Sequence, residues 1–259
     1  MTLQVENAGL RIGAKQLLAP TSATLAPSQV TAILGPNGAG KSTLLGVLAG
    51  QRLPTQGRAL LDGRPLAQHS AAALALRRAL MPQESAVAFD FSAQEIVALG
   101  RFPHRAAPSP DEDDIVNRAM ALTDVGALAP RVLNTLSGGE KSRVHMARAL
   151  AQLWHPRPGG ATRWLLLDEP TAALDLAHQH AAMRLLRDWA GQGVGIGVVL
   201  HDLNLARRYA DRVIVMADGS ALHQGPASEV LQPALVESVW AMPCQAVSGA
   251  DGVTQFLFG

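Results

Sequence analysis

Nine consecutive residues combine glycine, lysine and hydroxyl side chains in a pattern that suits phosphate binding. The segment fits G-x-x-x-x-G-K-[ST] at every fixed position. Its glycines let backbone N–H groups curl toward phosphate oxygens, and a following helix adds its positive N-terminus. Lys41 can reach the β- and γ-phosphates, and the Ser42 hydroxyl can ligate Mg²⁺. The pattern predicts a nucleoside triphosphate site at Gly35, Pro36, Asn37, Gly38, Ala39, Gly40, Lys41, Ser42 and Thr43.

Two adjacent carboxylates follow an apolar run at Trp164–Leu167, which reads as a strand buried on both faces. A solvated strand end is the alternative, but ligands of open α/β sheets bind at the C-terminal edges of strands. Neighbouring strand residues point to opposite faces, so the two carboxylates should have different roles. We expect Asp168 to join the Mg²⁺ shell and Glu169 to polarise the attacking water.

A second anion-binding helix terminus is predicted at Leu136-Ser-Gly-Gly-Glu140, which opens a segment with helical apolar spacing. Ser137 is a good N-cap, and Gly138 and Gly139 leave bare backbone N–H groups at the positive end of the helix. Without the phosphate loop, a capped helix after a flexible turn would be the preferred interpretation.

The predicted secondary structure that positions these groups changes along the chain. The loop lies between an apolar, β-branched strand pattern at Val30–Leu34 and a helix pattern, which disfavours a glycine-rich turn that binds nothing. Strand patterns dominate residues 1–84, helices dominate 85–156, and strand–helix alternation returns over 157–225. The tail, 226–259, is predicted to hold a short helix at Ala227–Leu231 and a terminal hairpin.

Composition narrows the class of protein. The 259 residues are 48% hydrophobic, enough for one large core or one core with a subdomain. The longest apolar stretches fall short of the roughly 20 residues that span a bilayer, and no signal peptide is evident. The single cysteine, Cys244, excludes an internal disulfide, and a net charge of +1 argues against nucleic-acid binding.

The motifs, in this order, resemble the ATP-binding subunit of an ABC transporter over nearly the whole chain. Gln83 resembles the Q-loop glutamine, Leu136–Glu140 the ABC signature, Ala172–Asp175 the D-loop and His201 the switch histidine. The resemblance implies an α/β fold: a RecA-like P-loop NTPase core, an antiparallel β subdomain and an inserted α-helical subdomain, within a single ABC ATPase domain.

The resemblance also implies site roles. ATP and Mg²⁺ are the expected ligands, with Glu169, His201 and Gln83 catalytic and Ser42, Gln83 and Asp168 at the metal. In the family, two chains pair head to tail, and the signature of one caps the ATP held by the other. That pairing adds to the nucleotide-binding set Ser137, Gly138, Gly139, Glu140 and Asp175.

One position departs from the family pattern. An aromatic residue usually precedes the glycine upstream of the P-loop and stacks on adenine, and here Ile12 precedes Gly13. An aliphatic side chain gives burial without π-stacking, worth about 1 kcal/mol less. We therefore expect Ile12 at the base and GTP to compete with ATP better than in relatives. The alternative is that Ile12 is a core residue and adenine is held elsewhere.

The process that ATP hydrolysis by this chain powers is inferred from analogy with the family. The helical segment and Ala151–Trp154, Arg163–Pro170 and Leu174–His180 are most similar to ATPases of haem importers. Import of ferric siderophores or vitamin B12 is the alternative within that group. A non-transport ABC ATPase would usually need two cassettes or a coiled-coil insert, and a P-loop kinase would lack the signature helix.

The resemblance implies partners as well: a homodimer at the cytoplasmic face of the bacterial inner membrane, two copies of a permease and, indirectly, a periplasmic substrate-binding protein. We expect the permease to contact residues 85–104, where apolar side chains exceed what a small subdomain needs. Those side chains are Phe89, Phe91, Ile96, Leu99 and Phe102.

Overall fold

The computed structural model describes residues 1–83 and 89–259. The β-strands span Leu3–Ile12 (β1), Lys15–Leu25 (β2), Val30–Leu34 (β3), Gln56–Leu61 (β4), Arg64–Pro65 (β5), Arg78–Met81 (β6), Trp164–Asp168 (β7), Gly195–Val199 (β8), Arg212–Ala217 (β9), Ser220–Pro226 (β10), Cys244–Ser248 (β11) and Thr254–Phe258 (β12). The α-helices span Lys41–Leu48 (α1), Ala71–Ala75 (α2), Ala93–Ala98 (α3), Glu112–Leu122 (α4), Gly138–Gln152 (α5), Leu176–Gly191 (α6), Leu203–Tyr209 (α7), Ala227–Val230 (α8) and Pro233–Trp240 (α9).

A six-stranded sheet in the order β10-β9-β3-β8-β7-β6 forms the centre of the molecule. Every neighbouring pair except β9–β10 is parallel. Strands β3, β7 and β8 are buried along their whole length, as expected for a parallel sheet with both faces covered.

The register of this sheet brings four sequence motifs to one edge. Asp168 and Ile33 both pair with Val199, and Met81 pairs with Leu167. The carboxyl ends of β3, β8, β7 and β6 therefore lie side by side. The residues that follow these ends are, respectively, the P-loop, His201, Glu169 and Gln83.

A four-stranded antiparallel sheet in the order β2-β1-β4-β5 covers the first sheet through α1. Leu44, Leu45 and Val47 of α1 share one apolar cluster with side chains of both sheets. This packing fixes the helix whose N-terminus ends the P-loop.

Helix α5 joins the core to the helical part of the chain. Its Met146 and Leu150 pack in the cluster on the other face of the central sheet. Its Val144 and Ala147 pack in a separate cluster with α3 and α4. A shift of α5 would therefore disturb the packing of both clusters.

The α/β fold class predicted from the sequence is confirmed, as is the terminal hairpin, formed by β11 and β12. Two elements differ from what the sequence pattern predicts. The pattern over Ala93–Gly100 predicts a helix as far as Gly100, but α3 ends at Ala98 and the chain continues as a 3-10 helix, Leu99–His104, since Pro103 has no N–H for the helical ladder. Helix α9 was not predicted, although Pro233 stands at its first turn, where proline is favoured.

Among the described helices, none is long and apolar enough to cross a membrane.

Candidate nucleotide-hydrolysis site

The P-loop connects β3 to α1 in a backbone conformation that requires glycine. The φ angles of Gly35, Gly38 and Gly40 are 149°, 81° and 92°. A Cβ on Gly35 would lie 2.2 Å from the carbonyl oxygen of Met216, and one on Gly40 would lie 3.1 Å from that of Leu17. The loop is thus pressed against β9 and β2, with its N–H groups available to an anion.

Lys41 is the first residue of α1, and its side chain turns back into the loop. Its ammonium donates hydrogen bonds to the carbonyl oxygens of Gly35, at 2.9 Å, and Pro36, at 3.0 Å. Burial lowers the pKa of Lys41, and the nearby charges of Glu169 and Asp168 oppose that shift. The sequence-predicted phosphate-binding cation therefore lies inside the loop that it serves.

Ser42 and Asp168 lie together, although 126 positions separate them in the sequence. The Ser42 hydroxyl donates a hydrogen bond of 3.1 Å to Oδ1 of Asp168. Burial raises the pKa of Asp168, whereas the bond from Ser42 and the charges of Lys41 and Arg52 act in the opposite direction. A carboxylate and a hydroxyl oxygen are suitable ligands for Mg²⁺.

Glu169 stands just beyond β7 in a left-handed backbone conformation, with φ 51°. Its Oε2 accepts a 2.9 Å hydrogen bond from Nε2 of Gln83, and its Oε1 lies 2.6 Å from Nε2 of His201. The expected alternation along a strand does not separate Asp168 from Glu169, because the strand ends between them. The turn at Glu169 does so instead, and it directs this carboxylate toward Gln83 and His201.

P-loop residues, Gln83, Glu169 and His201 line one open cavity of about 670 Å³, and Asp168 is linked to it through its hydrogen bond from Ser42. Its lining includes three residues of β2 that sequence reasoning missed. No local motif marks them, because they reach the P-loop only through the packing of Gly40 on β2. The lining residues are Lys15, Gln16, Leu17, Asn37, Gly38, Gly40, Lys41, Ser42, Thr43, Gln83, Glu169 and His201.

Ile12 lies at the end of β1, beside the hairpin turn at Gly13. Its side chain is 63% exposed, so the alternative that it packs in the core is wrong. Of the described residues that line the P-loop cavity, the nearest in sequence to Ile12 is Lys15. A role at the adenine base remains a prediction.

The signature segment caps α5. The Ser137 hydroxyl accepts a 3.3 Å hydrogen bond from the Glu140 N–H, and the Glu140 carboxylate accepts one of 2.7 Å from the Ser137 N–H. This reciprocal capping box engages the Glu140 side chain. Residues 137–140 are not part of the described lining of the P-loop cavity.

Asp175 is the N-cap of α6, where its carboxylate accepts hydrogen bonds from the backbone N–H of His178 and contacts the His178 ring at 2.9 Å. In the described part of the chain, Asp175 also lies outside the lining of the P-loop cavity. A single chain therefore assembles the P-loop, Gln83, Asp168, Glu169 and His201, whereas the signature and Asp175 lie outside the described lining of the P-loop cavity.

The donor set fits ATP with Mg²⁺. The P-loop has the glycine-dependent curvature of a phosphate cradle, and Ser42 and Asp168 provide oxygen ligands at its end. Within residues 1–83 and 89–259, no three His, Cys, Asp or Glu side chains cluster as a metal site of their own. Mg²⁺ in nucleotide sites usually takes one or two carboxylates together with substrate phosphates, which is what this arrangement offers.

Comparison with known proteins identifies the class. The profile of the ABC transporter family matches residues 18–172. The chain is 47% identical over 240 residues to the hemin import ATP-binding protein HmuV of Pseudomonas fluorescens, with 93% of this chain and 92% of that protein covered. HmuV of Burkholderia pseudomallei is 49% identical, with 92% and 93% covered. HmuV of Methylobacillus flagellatus is 43% identical, with 98% and 95% covered.

Solved structures of ABC transporter proteins are similar to the structure of this chain. A transporter assigned to the metal-chelate type of ABC transporter, in an inward-facing conformation, has a TM-score of 0.80 at 27% identity, covering 100% of this chain and 97% of that one. The ATP-binding cassette MJ0796, in a dimeric post-hydrolysis state bound to ADP and Pi, has a TM-score of 0.76 at 26% identity, covering 87% and 98%. The chain belongs to the ABC transporter family, and it is an ATPase of that family.

Proposed function

We propose that this chain is the ATP-hydrolysing subunit that powers hemin import through a separate permease dimer in the bacterial inner membrane. The observation that carries the proposal is its similarity, at 43–49% identity over at least 92% of this chain, to relatives named hemin import ATP-binding proteins. The proposal places this chain at the cytoplasmic face of that membrane, bound to the permease.

The P-loop, Gln83, Asp168, Glu169 and His201 have separate roles in the proposed hydrolysis. The Lys41 ammonium and the P-loop N–H groups bind the β- and γ-phosphates of ATP. Ser42, Asp168 and Gln83 would hold Mg²⁺, which would supply positive charge beside the phosphate oxygens. Glu169 takes the proton of the attacking water. His201, 2.6 Å from Glu169, contacts the γ-phosphate and orients that carboxylate.

The position of the signature supports hydrolysis by a head-to-tail homodimer. The γ-phosphate needs donors on the side away from the P-loop. Ser137, Gly138 and Gly139 form the N-terminus of a 15-residue helix outside that cavity, so a second chain can place them there. We assign Glu140 to the helix cap, because its carboxylate is engaged by the Ser137 N–H. Residues 85–156 then act as the moving subdomain of a core formed by 1–84 and 157–225, with 226–259 as the tail.

The proposed permease surface lies on the helical part of the chain. Of its apolar side chains, Phe89, Leu99 and Phe102 are 71%, 49% and 60% exposed. Phe91 and Ile96 pack into the cluster with α3 and α4, so they serve the core. Residues 85–88, which open the predicted 85–104 segment, lie outside the described part of the chain.

Charged substitutions on this surface are expected to uncouple ATP hydrolysis from transport. Leu99→Glu and Phe102→Glu place a carboxylate where an apolar helix of the permease would bind, and burying an unpaired charge is costly. Copurification with the permease and substrate uptake into vesicles should fall together, while the basal ATPase activity of the isolated homodimer persists.

Leu122→Glu is the matched control, because Leu122 is 48% exposed on the same subdomain, at the end of α4. This variant should retain permease binding and uptake. Normal uptake by the Leu99 and Phe102 variants would mean that the coupling surface lies elsewhere.

Growth on a single iron source tests the proposed substrate. Deletion of the gene for this chain should abolish growth on hemin in the organism that encodes it, and the wild-type gene should restore it. Growth on ferric siderophores should continue. If the deletion instead stops growth on siderophores, or vitamin B12 uptake, and spares hemin, the hemin assignment is wrong.

A further inference from the structure

The first turns of α5 lie directly against the loop that follows Glu169, here called the carboxylate loop, Pro170–Leu174. The Ser142 hydroxyl donates a 2.8 Å hydrogen bond to the carbonyl oxygen of Pro170. A Cβ on Gly139 would lie 2.8 Å from the carbonyl oxygen of Ala173. Helix and loop thus touch at two points, one through a side chain and one through close backbone approach.

The carboxylate loop is held on its other side by α6. The Gln179 side-chain amide donates hydrogen bonds to the carbonyl oxygens of Thr171, at 3.2 Å, and Leu174, at 3.1 Å. Those bonds leave the buried carbonyl of Pro170 to Ser142. Among the described residues, Ser142 is the donor that reaches this oxygen.

Glu169 depends on its neighbours for its orientation. Its φ of 51° is uncommon for a residue with a side chain, and such conformations persist where surrounding contacts impose them. Gln83 and His201 hold its carboxylate. Along the backbone after Glu169, the first carbonyl oxygen that accepts a hydrogen bond from another element is that of Pro170. The donor of this bond is the Ser142 hydroxyl.

The other side of this contact is open. A cavity of about 260 Å³ lies between the first turns of α5 and the active-site carboxylate, and Gly138, Ser142, Gln83 and Glu169 all line it. Across this gap the Ser142 bond is therefore a discrete link, which a small rotation of α5 would break.

We infer that Ser142 is a positioning residue that holds Glu169 of its own chain through the Pro170 carbonyl. The inference rests on the proposed head-to-tail dimer for its consequence: α5 presents its N-terminus to the partner's ATP while Ser142 sets the catalytic carboxylate of its own site. Closure on one nucleotide is thereby transmitted to hydrolysis of the other.

Single substitutions at Ser142 test whether its hydrogen bond to the Pro170 carbonyl affects hydrolysis. Ser142→Ala should lower kcat about three- to tenfold with KM nearly unchanged, the range for one neutral hydrogen bond. Ser142→Thr, which keeps the hydroxyl, should restore most of kcat. Ser70→Ala is the control, because the Ser70 hydroxyl also makes one hydrogen bond with the backbone, accepted from the Ala73 N–H at 3.2 Å, but at the start of α2. A loss confined to KM, or no rescue by threonine, would overturn the positioning role.

Mixed dimers of the full chain, isolated with two different tags, separate action within a chain from action on the partner. One chain carries Glu169→Gln, so single-turnover hydrolysis reports on the intact Glu169 of the other. Ser142→Ala placed in the chain with the intact Glu169 should slow that turnover. Placed in the Glu169→Gln chain, it should leave the rate unchanged.

The reverse pattern would show that Ser142 acts through the signature on the partner's nucleotide, and equal rates in both arrangements would show no link; either result overturns the inference. The wild-type dimer assayed in the same series reports on the proposed function. A normal wild-type rate with the reverse pattern therefore contradicts this inference alone.

Discussion

Replacing Glu169 with glutamine is expected to lower kcat for ATP hydrolysis by about 10²–10⁴-fold, the usual contribution of a general base. Glutamine keeps the size of the side chain and can still contact Gln83 and His201, so the cavity should retain its shape. ATP binding should persist, because Lys41 and the P-loop are untouched. The variant should therefore accumulate as a dimer with ATP bound, measurable by size-exclusion chromatography with radiolabelled ATP.

Glu229→Gln, on the exposed surface of α8, is the control for loss of one carboxylate. It should hydrolyse ATP at the wild-type rate and should not accumulate as a dimer with ATP bound. Hydrolysis by Glu169→Gln within a fewfold of wild type would remove Glu169 from the role of base.

Lys41→Ala should lose phosphate binding itself. The ammonium is the cation at the centre of the P-loop, and hydrogen bonds to charged groups contribute about 1.5–3 kcal/mol, so ATP affinity should fall about 10- to 100-fold. Equilibrium binding of a non-hydrolysable ATP analogue measures this without interference from turnover.

Lys41 also bonds two loop carbonyls, so thermal unfolding should be followed in parallel to exclude loss of the fold. Arg58→Ala removes a cation whose side chain is 62% exposed and ion-paired with Glu6, and it should bind ATP as the wild type does. An Lys41→Ala chain that binds ATP with unchanged affinity would place the phosphates elsewhere.

Much of the site could be predicted from the sequence because each part is local. The P-loop is contiguous, and its glycines are required by backbone conformation at Gly35 and Gly40. Asp168 and His201 follow apolar runs that form buried parallel strands, and parallel strands end at one edge. Motifs that follow parallel strands in the sequence therefore lie close together at one edge of the folded sheet.

The parts that sequence reasoning missed depend on long-range packing or on one dihedral angle. Leu17 lines the cavity because β2 packs on Gly40, which no local pattern records. The separation of Asp168 from Glu169 depends on φ at Glu169, and strand alternation gave the wrong reason for it. The capping role of Glu140 could have been predicted from the sequence, because Ser137 stands three positions earlier, a spacing typical of capping boxes.

ATP-driven transport in a reconstituted system tests the proposed hemin import. Proteoliposomes would contain this chain and the permease that copurifies with it, with hemin outside and ATP inside. Hemin should accumulate with ATP, and chains carrying Glu169→Gln should abolish that accumulation. Ferric siderophore and vitamin B12 should not accumulate. ATP-dependent accumulation of either of those substrates in place of hemin, or hemin accumulation that is indifferent to Glu169→Gln, would contradict the account.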